Sequence, residues 1–141
     1  MAATMQGFAG EAGMDRYRIS FEQRPKYLYV TVTGDSSSET IARYIADIRD
    51  ACVRLGVFRV LAVVHLDGPG ISMLDLYKVA AAGSDETAGV GIRAAYVELN
   101  AARSDANMQM AENVARTRGI PVKTFRDIAA AEAWLLTEPA H

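Results

Sequence analysis

The chain holds one cysteine, two histidines and four prolines, aromatic residues make up only 8% of it, and neither charge sign prevails. Cys52 on its own excludes an intrachain disulfide and points to a reducing, cytoplasmic setting. Fifteen basic against 17 acidic residues leave a net charge of −2. That balance argues against a nucleic-acid partner and against a basic cluster for lipid headgroups. No apolar run approaches the roughly 18 residues of a membrane-spanning helix, so the chain is not expected to be membrane-embedded. Met1 to Gly13 has neither a positive start nor an apolar stretch and does not read as a secretory signal. Its composition suggests a flexible segment over 1–15 ahead of one domain over 16–137, with Met14 as an alternative start.

What is present is a hydrophobic share of 50%, raised by alanine, in a 141-residue chain long enough for one buried core. The stretch RVLAVVHLDGPGISMLDL (Arg59 to Leu76) organises the rest. Val60 to Val64 is an unbroken, β-branched run without polar alternation, which suits a central strand covered on both faces. The break at Asp67-Gly68-Pro69-Gly70, followed by Ser72, reads as a loop feeding a helix, with Ile71, Leu74 and Val79 in helical spacing.

Upstream, Tyr17, Ile19 and Phe21 alternate with polar residues, and so do Leu28, Val30 and Val32 beyond a turn at 23–26. Together they predict an antiparallel hairpin. Ser36 and Glu39 fit a capping box for a helix whose inner stripe is Ile41, Ile45, Ile48, Cys52 and Leu55. Downstream, the pattern predicts a helix over 72–83, a polar loop over 84–91 and an inner strand carrying Ile92, Ala94 and Tyr96. A helix capped by Ser104 follows, then an edge strand begun by Pro121 and a last helix from Asp127. The order β-β-α-β-α-β-α-β-α makes this an α/β domain. Its sheet is mixed but mostly parallel, five-stranded, with an N-terminal antiparallel hairpin and about four helices.

The hairpin YRISFEQRPKYLYVTVTG, the segment RVLAVVHLDG and the ending AENVARTRGIPVKTFRDIAAAEAWL resemble the STAS-type, SpoIIAA-like superfamily over roughly residues 17–136. That superfamily includes anti-sigma-factor antagonists and the cytoplasmic domains of sulfate transporters. The resemblance implies a single SpoIIAA-like domain that binds partners and does no catalysis. In the antagonists the loop after the buried strand reads Asp-Ser-Ser/Thr-Gly, and its serine is phosphorylated. The matching residues here are Asp67, Gly68, Pro69 and Gly70, so both hydroxyl positions are absent and Ser72 is only a displaced substitute. The departure favours the SpoIIAA-like branch over true antagonists.

In an open α/β sheet, ligands dock outside the carboxyl ends of the strands. The candidate binding residues are therefore Asp67, Gly68, Gly70 and Ser72, with Asp35 and Ser36 from the preceding strand end and Asn100 to Ser104 beside them. The partner would be a protein or a small ligand, and a homodimer would cover open strand edges. No cofactor is expected, because neither Gly68-Pro69-Gly70 nor Gly89-Val90-Gly91 has the spacing of a phosphate-binding loop. Cys52 on the core stripe reads as an inert small hydrophobe, and His65 as a structural histidine at a strand end. Two other readings stand beside the binding domain. One is an apolar-ligand or lipid carrier with a pocket at Tyr27 or Tyr29. The other is a small metal-assisted hydrolase using Asp35, Asp67 and His65, which requires those three side chains to converge.

Overall fold

A computed structural model describes residues 3–6, 17–68 and 70–137, with the backbone alone for 3–6. The elements are β1 (Ala3–Gln6), β2 (Arg18–Gln23), β3 (Leu28–Asp35), α1 (Ser38–Leu55), β4 (Arg59–Asp67), α2 (Met73–Thr87), β5 (Arg93–Glu98), α3 (Asp105–Thr117), β6 (Val122–Phe125) and α4 (Ile128–Leu135). They form one six-stranded sheet in the consecutive order β1-β2-β3-β4-β5-β6. The pairings β1/β2 and β2/β3 are antiparallel, and β3 to β6 run parallel. This is the expected α/β architecture of a hairpin leading into parallel strands, with four helices. Strand β1 is an addition: it comes from the segment expected to be flexible and extends the five strands to six. The other residues of that segment lie outside the described ones.

Strand β4 lies in the middle, bonded to β3 and β5, and Val60 to Val64 are all buried. Its even-numbered residues face a layer made by α1, α2 and α3, where Ile41, Tyr44, Cys52 and Leu76 join the core. Its odd-numbered Leu61 and Val63 face α4, packed with Ala95, Val97, Ala131 and Leu135. Tyr27 belongs to this second layer, its hydroxyl donating to Glu132 at 2.6 Å. Arg93 adds to the clamp on α4, lying 3.8 Å from the Trp134 ring centre and donating to the Trp134 carbonyl. Pro121 precedes β6, which among the described residues pairs only with β5 and so lies at the edge of the sheet. The Thr124 N–H, with no further strand to bond among the described residues, donates to the Glu112 carboxylate at 2.9 Å.

Three local expectations are corrected. The cap of α1 is Ser37, whose hydroxyl accepts from the Thr40 N–H at 3.0 Å. Ser36 lies one residue too early, and its N–H, which the reciprocal half of the box would need, continues the sheet by donating to the Asp67 carbonyl. Helix α2 runs to Thr87 rather than stopping at Gly83. A Cβ on Gly83 would lie 2.9 Å from Ile45 Cδ1, so this glycine permits the close approach of α1 and α2. The buried face of α2 is Leu76, Ala80, Gly83, Ser84 and Thr87, and Leu74 is 61% exposed. Ser84 and Thr87 are tolerated inside because they are short, and the Thr87 hydroxyl bonds back to the Gly83 carbonyl at 2.7 Å.

Candidate functional site

Because β3, β4 and β5 are parallel, the loops that follow them meet on one rim. Asp35 and Asp67 are register partners at the ends of β3 and β4. Asn100, just beyond β5, ties the rim together. Its side-chain amide donates to the Leu66 carbonyl at 2.6 Å and to the Gly68 carbonyl at 2.9 Å, while its oxygen accepts from the Ala102 N–H. Arg126, just beyond β6, fixes the same loop by donating to the carbonyls of Asn100 and Arg103 and to Asp105. Ser72 caps α2 by accepting from the Asp75 N–H. Asp35, Ser36, Asp67, Gly68, Gly70 and Ser72 thus share one edge of the molecule.

Beneath that rim lies a cluster of polar side chains enclosed by the core. Glu98 is fully buried and accepts from the Asn100 N–H at 3.1 Å and from the Tyr96 hydroxyl at 3.2 Å. The Tyr44 hydroxyl donates to that of Tyr96 at 3.1 Å. The Arg103 guanidinium, also buried, lies 3.6 Å from Glu98. Another arm of it reaches Ser36 Oγ at 3.5 Å, and its Nε–H has no hydrogen-bond partner among the described residues. Gly70 lies against this guanidinium; a Cβ there would be 3.1 Å from Arg103 Nε. Burial pushes the Tyr44 phenol up to about 12 and raises Tyr96 well above its ordinary value, so both hydroxyls keep their protons at neutral pH.

The same cluster borders a cavity of about 170 Å³ between the sheet and the helical layer. Its apolar walls include Ile41 and Ile48 from α1, Leu76 from α2 and Met108 from α3. Tyr44, Tyr96 and Arg103 are among the polar residues that line it. The cavity exists because small residues face small residues: Ala62 and Ala94 on the sheet lie opposite Ala80, Gly83 and Ala111 on the helices. A close-packed interior sets large side chains against small ones and leaves no such space.

The strand order also explains where the space lies. Consecutive strands carry α1, α2 and α3 across one face, so between β3 and β6 no two connections diverge to open a crevice at the strand ends. The space is under the helices instead.

No family model matches the chain, and no curated protein matches it. Among solved structures it is similar to an uncharacterized protein of the DUF3478 family with a SpoIIAA-like fold from Shewanella loihica PV-4. The two are 16% identical, with a TM-score of 0.49, over 90% of this chain and 99% of that one. That description gives a fold and no activity.

The remaining expected site residues fall as follows. His65 is exposed on β4 rather than tucked at a strand end, since β4 continues two residues further to Asp67. Among the described residues no group of three or more His, Cys, Asp or Glu side chains is arranged to hold a metal ion. The cavity contains neither Tyr27 nor Tyr29; Tyr27 is under α4, and Arg24 covers the Tyr29 ring at 4.1 Å. Cys52 is fully buried, and burial raises its thiol to about 11. Among the described residues no helix is long and apolar enough to cross a membrane.

Sequence reasoning missed Glu98 and Tyr44, and took in Arg103 only as part of the loop from Asn100 to Ser104. A signal existed for the first: Glu98 continues the two-residue step of Ile92, Ala94 and Tyr96, so a carboxylate was in phase with the inner face. Tyr44 lies three residues after Ile41, in phase with the inner stripe of α1.

Proposed function

We propose that this domain acts by binding, without chemistry of its own, and that it takes a small apolar molecule into the cavity between the sheet and helices α1 to α3. The supporting observation is the cavity itself, about 170 Å³ and mostly apolar in its lining. Apolar cavities of about 150 Å³ hold a molecule the size of benzene. The rim formed by Asp35, Ser36, Asp67, Gly68, Gly70 and Ser72 is the part of the surface that senses occupancy, since Arg103 touches both the cavity and this rim. A cytoplasmic setting belongs to this reading and rests on the single, buried cysteine. The test is calorimetric titration of the full chain with ethylbenzene, for the wild type and for Ala111→Leu, which fills the cavity. Binding abolished by the filling supports the reading. Equal binding by both proteins places the ligand elsewhere and refutes it.

A second reading is favoured by a separate observation. Met73, Leu74 and Tyr77 on the first turns of α2 are 48%, 61% and 45% exposed beside the rim. Neighbouring exposed apolar side chains of this size mark contact surfaces. The rim and this patch would then dock a protein, a second copy of the chain included. Sedimentation of the wild type against Leu74→Glu checks self-association, and a capture experiment with the same pair checks other proteins. If assembly and capture are the same for both proteins, the patch is no interface.

A further inference from the structure

We propose that the cavity selects an uncharged apolar molecule, roughly a benzene ring with a short substituent, that carries one hydrogen-bond acceptor for Arg103. This rests on the cavity reading above and adds the chemistry of the ligand's polar end. Arg103 is one of the cavity's lining residues, is 6% exposed, and holds a buried Nε–H without a partner among the described residues. A buried donor left unpaired is costly, so a ligand oxygen that accepts from it gains more than the same oxygen would gain from water. The other arms of the guanidinium are engaged by Glu98 and Ser36, which leaves Nε as the arm to be read.

The charge of the ligand follows from Glu98. That carboxylate is fully buried and already balances Arg103. A ligand carboxylate beside them would put two anions against one cation inside the protein, where an unbalanced charge is strongly disfavoured. Hydroxyls cannot relieve it by giving up or taking a charge, because Tyr44 and Tyr96 both stay protonated. A ketone, ester or ether oxygen meets the donor without adding charge. A plain hydrocarbon fills the volume and leaves Nε unpaired.

The test titrates the full chain with three probes of similar size: acetophenone, ethylbenzene and benzoate. Acetophenone is expected to bind at least about tenfold more tightly than ethylbenzene, the worth of one hydrogen bond from a charged donor. Benzoate is expected to bind most weakly. Arg103→Lys keeps a cation opposite Glu98 and deletes the Nε–H, and it should erase the preference for acetophenone while retaining ethylbenzene. If that variant folds poorly, the paired replacement Glu98→Gln with Arg103→Met removes both charges together and gives the same readout. In the wild type, the Nε–Hε NMR signal of Arg103 should move with acetophenone and stay in place with ethylbenzene. Equal affinities for acetophenone and ethylbenzene overturn this selection but leave the cavity reading standing. Tightest binding of benzoate overturns the requirement for an uncharged ligand. Failure of all three probes to bind at millimolar concentration overturns the selection and the cavity reading together.

Discussion

Arg103 and Glu98 meet 3.6 Å apart with 5% and 0% of their side chains exposed, so this ion pair at the inner end of the rim is screened from water. Glu98→Ala strands the guanidinium and should cost about 3–5 kcal/mol of stability. Replacing both residues at once, Glu98→Leu with Arg103→Met, should cost much less than the two single changes summed. Urea unfolding of the four proteins measures this. A loss below about 1 kcal/mol for Glu98→Ala would show that the pair is dispensable.

Asn100 joins the loops after β4 and β5 through two side-chain donations and one acceptance. Asn100→Ala leaves the Leu66 and Gly68 carbonyls short of a donor and should destabilise by about 2–3 kcal/mol. Asn100→Asp should be at least as damaging, because it sets a carboxylate against two carbonyl oxygens. Amide hydrogen exchange should show faster opening around Gly68 and Ala102 in both variants.

Gly70 and Gly68 have similar positive φ angles, +95° and +91°, and differ in what surrounds them. A side chain at Gly68 meets open space, so Gly68→Ala should cost only the backbone term, about 1 kcal/mol. Gly70→Ala adds a Cβ 3.1 Å from Arg103 Nε and should cost more. Equal midpoints in urea for the two variants would mean that the guanidinium yields freely.

Burial raises Cys52 from 9.0 to about 11 and Tyr44 from 10.0 to about 12. Each group holds its proton more tightly folded than unfolded, so its stabilising share is complete below the unfolded value. It is lost as pH rises through the folded value. Stability should therefore hold up to about pH 9 and fall progressively toward pH 12. Tyr44→Phe and Cys52→Ala should each flatten that fall, as read by urea unfolding at stepped pH. At pH 8 the native thiol should resist iodoacetamide and react once the chain is unfolded.

Much of the fold was legible in the residues. Period-two alternation placed the hairpin, the β-branched run placed β4 at the centre, and Pro121 marked β6 as the edge. Local chemistry also located the caps at Ser72, Ser104 and Asp127, each of which accepts the N–H three residues on. The capping box at Ser36 failed because a sheet bond to Asp67, 31 residues away in sequence, claimed its N–H first. Gly83 reads as a stop in isolation, yet it is a contact point, since its role depends on Ile45 in another helix.

Periodicity and turn chemistry are properties of neighbours in the chain, and so the amino-acid order alone determined the elements other than β1, their sequence and the rim that carries Asp35, Asp67 and Gly70. The cavity and its polar wall were decided only by the tertiary structure. Whether Ala62, Ala94, Ala80 and Ala111 leave a void depends on which small residues end up opposite one another across the sheet and helix layers. Whether Glu98 and Arg103 become a buried pair depends likewise on the shielding supplied by distant segments. Those are matters of spacing between elements, which no short window of sequence contains.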